Sequence, residues 1–259
     1  MHPLLSLEEA FERVSLVASK RPLDSVTLPL TEAVGHVLAE DAVAELSIPP
    51  FNNSARDGFV VSNDVDAGDA FFEVQGEIRA GDSVEHANQI APQVARIMTG
   101  GPVPDWAAAV VMLEDATLEG HRVRFNAPIV PGSWLRAAGS DIMQGQPILA
   151  AGRRIIAEHV QALASSGVRF VKVFKKPRVA VISTGEELVD LASELPKSGQ
   201  IYDSNRPSMS AQVQAFGAEL AHSEHVGDSL DAMIDFLHRA MGMSLDLVVS
   251  SGAVSMGSY

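Results

Sequence analysis

The spacing of hydrophobic and polar residues differs from one part of the chain to the next. Ser6-Leu7-Glu8-Glu9 has the spacing of a capping box, and the apolar residues after it predict an amphipathic helix that ends near Lys20. Between Phe59 and Leu135 the apolar runs are short and are separated by Gly and Pro turns, which is typical of a compact strand-rich domain. Helical spacing returns over 155–166, where Gly167 is expected to end the helix, and a strand is predicted over 168–173.

The pattern changes again after Lys175-Lys176-Pro177. Short apolar runs typical of strands and amphipathic stretches typical of helices then follow. They predict a strand over 179–182, helices over 209–216 and 230–241, and a strand over 245–249. This order predicts a parallel α/β sheet in which the last strand is buried. The residues after that strand are too few to complete a sheet, so we expect the sequence to end inside a domain.

Length and composition narrow the class of protein. The 259 residues suggest two domains, or one with an insertion. No apolar run approaches the roughly 20 residues that span a bilayer, and the N-terminus lacks the pattern of a secretory signal, so we expect a cytoplasmic protein with no membrane partner. The absence of cysteine excludes disulfides, thiolate metal sites and cysteine nucleophiles. The formal net charge of -14 argues against nucleic acid as a partner, although a local pocket can still bind a small anion.

Two loops directly follow predicted strands of the parallel sheet, where ligands of open sheets bind. Ser183-Thr184-Gly185-Glu186-Glu187-Leu188 carries two consecutive carboxylates, which either face the crevice or are solvated acids in the first turn of a helix. Ser250-Ser251-Gly252-Ala253-Val254-Ser255-Met256-Gly257 is rich in small residues that let backbone amides approach an anion. It is equally compatible with an ordinary Gly and Ser connection, since no P-loop lysine follows.

Three further polar clusters lie in the strand-rich part. They are Asn53-Ser54-Ala55-Arg56-Asp57-Gly58, Met98-Thr99-Gly100-Gly101-Pro102-Val103-Pro104, and Arg136 with Gly139-Ser140-Asp141. Loops of this composition often carry function. Each cluster alone is also compatible with turn chemistry, in which Asp and Asn accept hydrogen bonds from backbone amides.

Taken in order, five motifs resemble the molybdopterin molybdenumtransferase family, to which the gephyrin E domain belongs. The motifs are Pro50-Phe51-Asn52-Asn53-Ser54-Ala55-Arg56-Asp57-Gly58-Phe59, Arg96-Ile97-Met98-Thr99-Gly100-Gly101-Pro102-Val103-Pro104, Gly139-Ser140-Asp141, Ser183-Thr184-Gly185-Glu186-Glu187-Leu188 and Gly199-Gln200-Ile201-Tyr202-Asp203-Ser204-Asn205. The resemblance runs from the first helix to Tyr259. Five motifs in the same order are far more specific than any one of them.

The resemblance implies a multidomain protein of the α+β and α/β classes. Residues 1–48 would form the first part of a linker domain, 49–138 an inserted strand-rich domain, 139–176 the second part of the linker domain, and 177–259 an incomplete molybdopterin-binding α/β domain with a parallel sheet. The family also has a C-terminal β-barrel, which the sequence does not contain, and forms an elongated homodimer. Apolar residues of the first helix, such as Leu7, Phe11 and Val14, are expected to find little partner surface within one chain.

The activity implied by the resemblance is insertion of molybdate into the dithiolene of adenylated molybdopterin, with release of AMP. A divalent cation assists, and Mg²⁺ suits a cysteine-free site with oxygen ligands. The expected partners are adenylated molybdopterin, molybdate, a second copy of the chain and the molybdopterin adenylyltransferase. Because later parts of the family's α/β domain are missing from the sequence, the 259-residue chain alone is expected to be inactive and to be less soluble than a form extended through the rest of that domain.

The family's acidic catalytic positions match Asp57, Asp141 and Glu187. Carboxylates do not contact molybdate or phosphate favourably, so Asp141 and Glu187 are expected to act through a bridging Mg²⁺ or through protonated intermediates. The substrate-binding positions carried over in the same way are Thr99, Thr184, Gly185, Asp228, Ser251, Gly252 and Ser255.

The sequence departs from the family pattern at three places. Arg56 stands where methionine is usual and adds a positive charge beside Asp57. Ala253 replaces the second glycine of a strand-end loop and adds a Cβ where backbone approach is needed. The aspartate of the family's Gly-x-x-Asp motif would come directly after Tyr259.

Two other functions stay open beside the transferase. One is a non-catalytic molybdopterin-binding or scaffold module of the same family, as the gephyrin E domain shows. The other is a nucleotide-dependent enzyme of the related α/β type that acts on a different pterin or nucleotide. The joint presence of Asp57, Asp141 and Glu187 favours the transferase, since a scaffold has no need of three site carboxylates.

Overall fold

The computed structural model describes residues 5–193 and 195–252, which form two compact units. Among the described residues, the α/β unit is built from 5–40, 151–156, 170–193 and 195–252. The strand-rich unit is built from 41–150 and 157–169. This division is coarser than the four segments that the family resemblance implies, and the boundaries of those segments stay a prediction.

The elements are numbered in chain order. The α-helices are α1 (Leu7–Ser19), α2 (Val84–Gln89), α3 (Ala157–Ser165), α4 (Asn205–Ala215) and α5 (Leu230–Met241). The strands are β1 (Ser25–Pro29), β2 (Ala42–Val43), β3 (Asn53–Ser54), β4 (Gly58–Val61), β5 (Phe72–Glu73), β6 (Glu77–Ile78), β7 (Val94–Ile97), β8 (Ala109–Met112), β9 (Ala116–Glu119), β10 (Arg122–Phe125), β11 (Leu135–Arg136), β12 (Pro147–Leu149), β13 (Phe170–Phe174), β14 (Arg178–Thr184), β15 (Leu188–Val189), β16 (Ile201–Tyr202), β17 (Glu219–Val226) and β18 (Leu247–Ser251).

A parallel sheet forms the centre of the α/β unit, as predicted. Its strand order is β17-β14-β18, and both outer strands run parallel to β14. Six of the seven residues of β14 are buried, because neighbours cover both of its edges and its faces. Phe236 and Ala240 of α5 pack with Ala180, Ile182 and Val226 in the core of this unit.

Three sequence expectations are corrected in this unit. Helix α4 begins at Asn205 rather than Met209, because Pro207 is tolerated in a first helical turn. Strand β18 was expected to be buried, yet Leu247 and Val248 are exposed because within the described residues β18 is an outer strand of the sheet. Glu186 does not begin a helix, since the chain turns tightly after β14 and enters β15.

The strand-rich unit is organised around β4. This strand lies between β7 and β8 in a four-stranded sheet of order β6-β7-β4-β8, and all of its residues are buried. Because side chains alternate along a strand, Phe59 and Val61 pack in one hydrophobic core while Val60 packs in another on the opposite face. The predicted compact strand-rich region is confirmed, and β4, like its neighbours β7 and β8, contributes side chains to both cores.

Two predicted helix ends are confirmed. Ser6 caps α1 in a full capping box with Glu9. Gly167 follows α3 with φ of +84°, and the N–H of Val168 donates to the carbonyl of Leu163, as in a glycine-terminated helix.

Candidate functional site

Asp57 and Thr99 are brought together in the strand-rich unit. Asp57 directly precedes β4 and Thr99 follows β7, and the antiparallel register pairs Gly58 with Ile97. Oδ1 of Asp57 accepts hydrogen bonds from the backbone N–H of Thr99 at 2.7 Å and from its hydroxyl at 2.8 Å. These two bonds, the backbone bond foremost, lower the pKa of Asp57. Asp57 is therefore an exposed, ionised carboxylate held in one orientation.

The three polar clusters of the strand-rich unit lie side by side. Strand β3 pairs with β11, which places the loop of Asp57 beside the loop that leads to Asp141. On its other side, the N–H of Ser54 donates to the carbonyl of Gly101, and the N–H of Gly100 donates to the carbonyl of Ser54. The three polar clusters, which the sequence left as separate turns, are therefore joined by backbone hydrogen bonds.

Asp141 is paired with cationic and hydroxyl partners among these clusters. Its Oδ2 accepts from Arg136 in an ion pair, and Ser140 Oγ lies 3.3 Å from its Oδ1. The side chains of Asp141 and Arg136 are each nearly half exposed, so both charges remain accessible to a ligand. The guanidinium of Arg56, the first departure from the family pattern, lies over the ring of Trp134 at 4.8 Å.

The carboxyl ends of the three parallel strands meet at one edge of the α/β unit. Register pairs Thr184 with Val226 and Ser183 with Ser251, so the loops after β14, β17 and β18 are neighbours. A carboxylate oxygen of Asp228 accepts from the backbone N–H of Glu186 at 3.3 Å, which links two of these loops. This is the edge at which open parallel sheets bind their ligands.

Thr184 and Gly252 form a cradle at this edge. Thr184 is buried, and its Oγ1 has no hydrogen-bond partner among the described residues. Gly252 has φ of +101°, and a Cβ at this position would lie 2.4 Å from Thr184 Oγ1. A buried hydroxyl without a partner is costly, so Thr184 is a candidate to donate to a group outside the described residues.

Glu187 lies folded back over the turn that follows β14. A Cβ at Gly185, whose φ is +141°, would lie 2.8 Å from Glu187 Oε2. Glycine is therefore favoured at 185 by the backbone conformation, and it leaves room for the Glu187 carboxylate to approach. Glu187 itself is exposed to solvent.

The predicted site residues are divided between the two units. Asp57, Thr99 and Asp141 belong to the strand-rich unit, and Thr184, Gly185, Glu187, Asp228, Ser251 and Gly252 belong to the α/β unit. Ser255 and the departure at Ala253 lie outside the described residues. The catalytic and binding roles given to these positions stay predictions.

Sequence reasoning missed a second layer of polar residues behind the sheet edge. Asn205 Nδ2 donates to Ser251 Oγ at 2.8 Å, and Asp203 is almost fully buried against Ser183 and Arg206. Both residues stand in the quoted motif 199–205. A single sequence does not reveal that Asp203 is buried, so the motif offered no sign of its structural role.

The donor chemistry suits Mg²⁺, but a three-ligand protein site is absent from the described part of the chain. No group of three or more His, Asp and Glu side chains that could hold a metal ion occurs in residues 5–193 and 195–252. The requirement for Mg²⁺ stays a prediction. Across the same described ranges, no helix is long and apolar enough to cross a membrane.

Comparison with known families now identifies the class of protein. A family described as the MoeA N-terminal region, domains I and II, matches residues 5–167. A second, described as a probable molybdopterin binding domain, matches residues 180–259. The chain belongs to the MoeA family of molybdopterin molybdenumtransferases, which confirms the resemblance and the multidomain α+β and α/β class.

Individual relatives agree with this family. Molybdopterin molybdenumtransferase of Synechococcus elongatus is 31% identical over 259 residues, which cover 98% of this chain and 64% of the relative. The Staphylococcus epidermidis protein of the same name is 34% identical, with 98% of this chain and 61% of the relative covered. A crystal structure of the MoeA protein from Pyrococcus horikoshii superposes with a TM-score of 0.81 at 29% identity, covering 95% of this chain and 66% of that one. The chain thus spans somewhat over 60% of the length of these curated relatives.

Proposed function

We propose that the protein inserts molybdate into adenylated molybdopterin and releases AMP, in the biosynthesis of the molybdenum cofactor. The observation that carries this proposal is the Thr184–Gly252 cradle, because it combines an unsatisfied buried hydroxyl with a position that admits no side chain. A pterin or phosphate oxygen over Gly252 would accept the Thr184 hydroxyl hydrogen. The names of the relatives support the same activity.

The strand-rich unit carries charged groups that suit an oxyanion. Arg136 beside Asp141, and Arg56 beside Asp57, place positive charge on an otherwise strongly acidic protein, where an oxyanion would be attracted. Asp57 stays ionised through its hydrogen bonds from Thr99. We further propose that Asp141 and Glu187, each in its own unit, need a divalent cation to act on molybdate, since carboxylates and molybdate repel each other without one.

The function is tested by following AMP release and pterin binding separately. Adenylated molybdopterin is incubated with the 1–259 chain and with a form extended to the length of the relatives, with or without molybdate. We expect AMP release by the extended form to require molybdate, to stop on addition of a chelator and to return with Mg²⁺. We expect pterin binding, followed by fluorescence, in both forms because the cradle lies in the α/β unit.

The same experiment separates the alternatives. Binding of molybdopterin without AMP release by the extended form would indicate the scaffold function, and no binding by either form would refute the proposal. The relatives that match are named as transferases, so the scaffold alternative is not favoured.

We also propose that the protein is cytoplasmic and that it has a docking site for the molybdopterin adenylyltransferase.

We also propose a homodimer that uses helix α1. No residue of α1 is buried, and its large apolar side chains are mostly exposed, with Leu7 at 81%, Phe11 at 71% and Val14 at 68%. A stripe of this kind on a helix is typical of an interface. The formation of a symmetric pair would bury it against the same stripe of a second copy.

Replacement of Phe11 and Val14 by glutamate is expected to convert the dimer to a monomer. Charge in the centre of an apolar interface is strongly unfavourable, so sedimentation velocity at micromolar concentration should show the mass fall by about half. Glu12→Ala on the same helix serves as the control and should leave the dimer intact. A compact monomer of the unaltered chain would contradict the proposal.

A further inference from the structure

A buried carboxylate lies directly behind the sheet edge of the α/β unit that carries Thr184 and Gly252. Asp203 is only 1% exposed and follows the short strand β16. Its Oδ2 accepts from Ser183 Oγ at 2.5 Å and from Nε of Arg206 at 2.8 Å, while its Oδ1 accepts from the backbone N–H of Arg206 at 3.1 Å. Asp203 is too enclosed to touch a substrate, so any role in function must pass through these partners.

The partners of Asp203 belong to elements that converge on the edge. Ser183 is next to Thr184 at the end of β14, and Arg206 lies in the first turn of α4. Arg206 also forms an ion pair with Asp190, which follows β15. The Asp203–Arg206 pair therefore ties the β15–β16 ribbon and the start of α4 to the central strand of the sheet.

Asn205 carries this connection to the third strand. It stands between Asp203 and Arg206 in sequence, and its side-chain amide donates to Ser251 Oγ on β18 at 2.8 Å. Ser251 precedes Gly252, whose backbone closes the cradle over Thr184. The two sides of the cradle, Thr184 on β14 and Gly252 after β18, are thus reached from Asp203 through the Ser183 and Asn205–Ser251 hydrogen bonds, which short stretches of backbone connect.

Asp203 remains charged in this setting. Burial acts to raise the pKa of its carboxyl, but the hydrogen bonds from Ser183 and Arg206, together with the positive charge of Arg206, outweigh burial and leave the pKa below its ordinary value. A buried charge of this kind is tolerated only while its partners stay in place. The charge of Asp203 therefore strongly favours the arrangement in which Ser183 and Arg206 keep their hydrogen bonds to it.

We propose that Asp203 is a positioning residue that holds Thr184 and Gly252 at the separation a pterin ligand requires. It acts on Thr184 through Ser183, and on Gly252 through the segment of Asn205 and Arg206. This inference rests on the proposed function, because it assumes that the cradle binds molybdopterin.

Asp203→Asn is expected to weaken molybdopterin binding by about tenfold, because asparagine keeps the shape but places an N–H donor against Ser183 or Arg206. Binding is measured by pterin fluorescence with the 1–259 chain, well below the melting temperature of each variant. In the ligand-free protein, amide hydrogen exchange over 183–187 and 249–252 is expected to become at least about tenfold faster.

Two comparisons distinguish positioning from general stability. Glu219→Gln breaks the ion pair with Arg178, 2.5 Å long, at the opposite end of β14, and should change neither binding nor exchange at the edge. Arg206→Ala should weaken binding as Asp203→Asn does. Arg206→Lys should weaken binding less than Arg206→Ala, since lysine keeps the positive charge but lacks the planar guanidinium that contacts both Asp203 and Asp190.

The outcomes separate this inference from the proposed function. If the unaltered chain does not bind molybdopterin, the proposed function fails, while the exchange measurement still tests whether Asp203 orders the edge. If the unaltered chain binds and Asp203→Asn binds equally well, or if its exchange over 183–187 is unchanged, the positioning role is wrong.

Discussion

Alanine in place of Asp141 or Glu187 is expected to lower the rate of molybdate insertion at least about 100-fold, which corresponds to about 2.7 kcal/mol of transition-state stabilisation. Both carboxylates are exposed at the surface of their units, so their loss removes little packing. Molybdopterin binding should be largely retained, because neither side chain forms the Thr184–Gly252 cradle. The measurement is AMP release in a single turnover, with pterin binding followed in parallel.

Neighbouring acids provide the controls for this experiment. Glu186→Ala removes the adjacent carboxylate in the same turn while keeping the backbone N–H that donates to Asp228. Asp115→Ala removes an acid from the strand-rich unit outside the polar clusters. Both controls should turn over within a few-fold of the unaltered protein, and near-normal turnover of Asp141→Ala and Glu187→Ala would overturn their assignment.

Gly252→Ala is expected to abolish most molybdopterin binding, with a loss of affinity of at least about 100-fold. The added Cβ would lie 2.4 Å from Thr184 Oγ1, and the φ of +101° is one that alanine rarely adopts. The methyl group would therefore push Thr184 and the backbone at 252 apart and disrupt the cradle. Gly227→Ala is the matched control, since a Cβ there meets nothing closer than Ala232 at 3.7 Å and the residue also follows a strand at this edge.

Thr184→Val gives an independent test of the same cradle. Valine has the shape of threonine without the buried hydroxyl that lacks a partner, so the melting temperature should stay equal or rise. Pterin affinity should nevertheless fall, by about tenfold. A variant that loses stability and keeps its affinity would show that the hydroxyl is satisfied within the protein and has no part in binding.

The sequence predicts a helix or strand correctly where its capping residues and its hydrophobic spacing agree with the way it packs in the fold. Helix α5 is found over the predicted residues 230–241, because Ser229 caps its start and one apolar face packs on the sheet. The parallel sheet and its strand-end loops follow from the alternation of apolar runs. Family motifs then place the site residues on those loops.

Long-range contacts could not be predicted in the same way. The contact of Asp57 with Thr99 joins residues 42 apart and depends on the register of β4 against β7, which a single sequence does not define. The outer position of β18 depends on which strands pair, and an apolar run does not specify that. Likewise, Asp203 looks like a turn residue in sequence and is a buried ion-pair partner in the fold.

Strand β4 has a consequence for the interpretation of variants. Its side chains fill two cores on opposite faces, and a Cβ at Gly58 would lie 2.0 Å from the carbonyl oxygen of Val111. Since Asp57 immediately precedes this strand, damage to either core displaces the carboxylate as well as destabilising the unit. If Asp57 acts in the reaction as proposed, substitutions at Phe59 or Val60 found in a genetic screen would resemble lesions of the site, although both side chains are buried in the cores. Such alleles would be classified correctly only if the amount of folded protein is measured together with the activity.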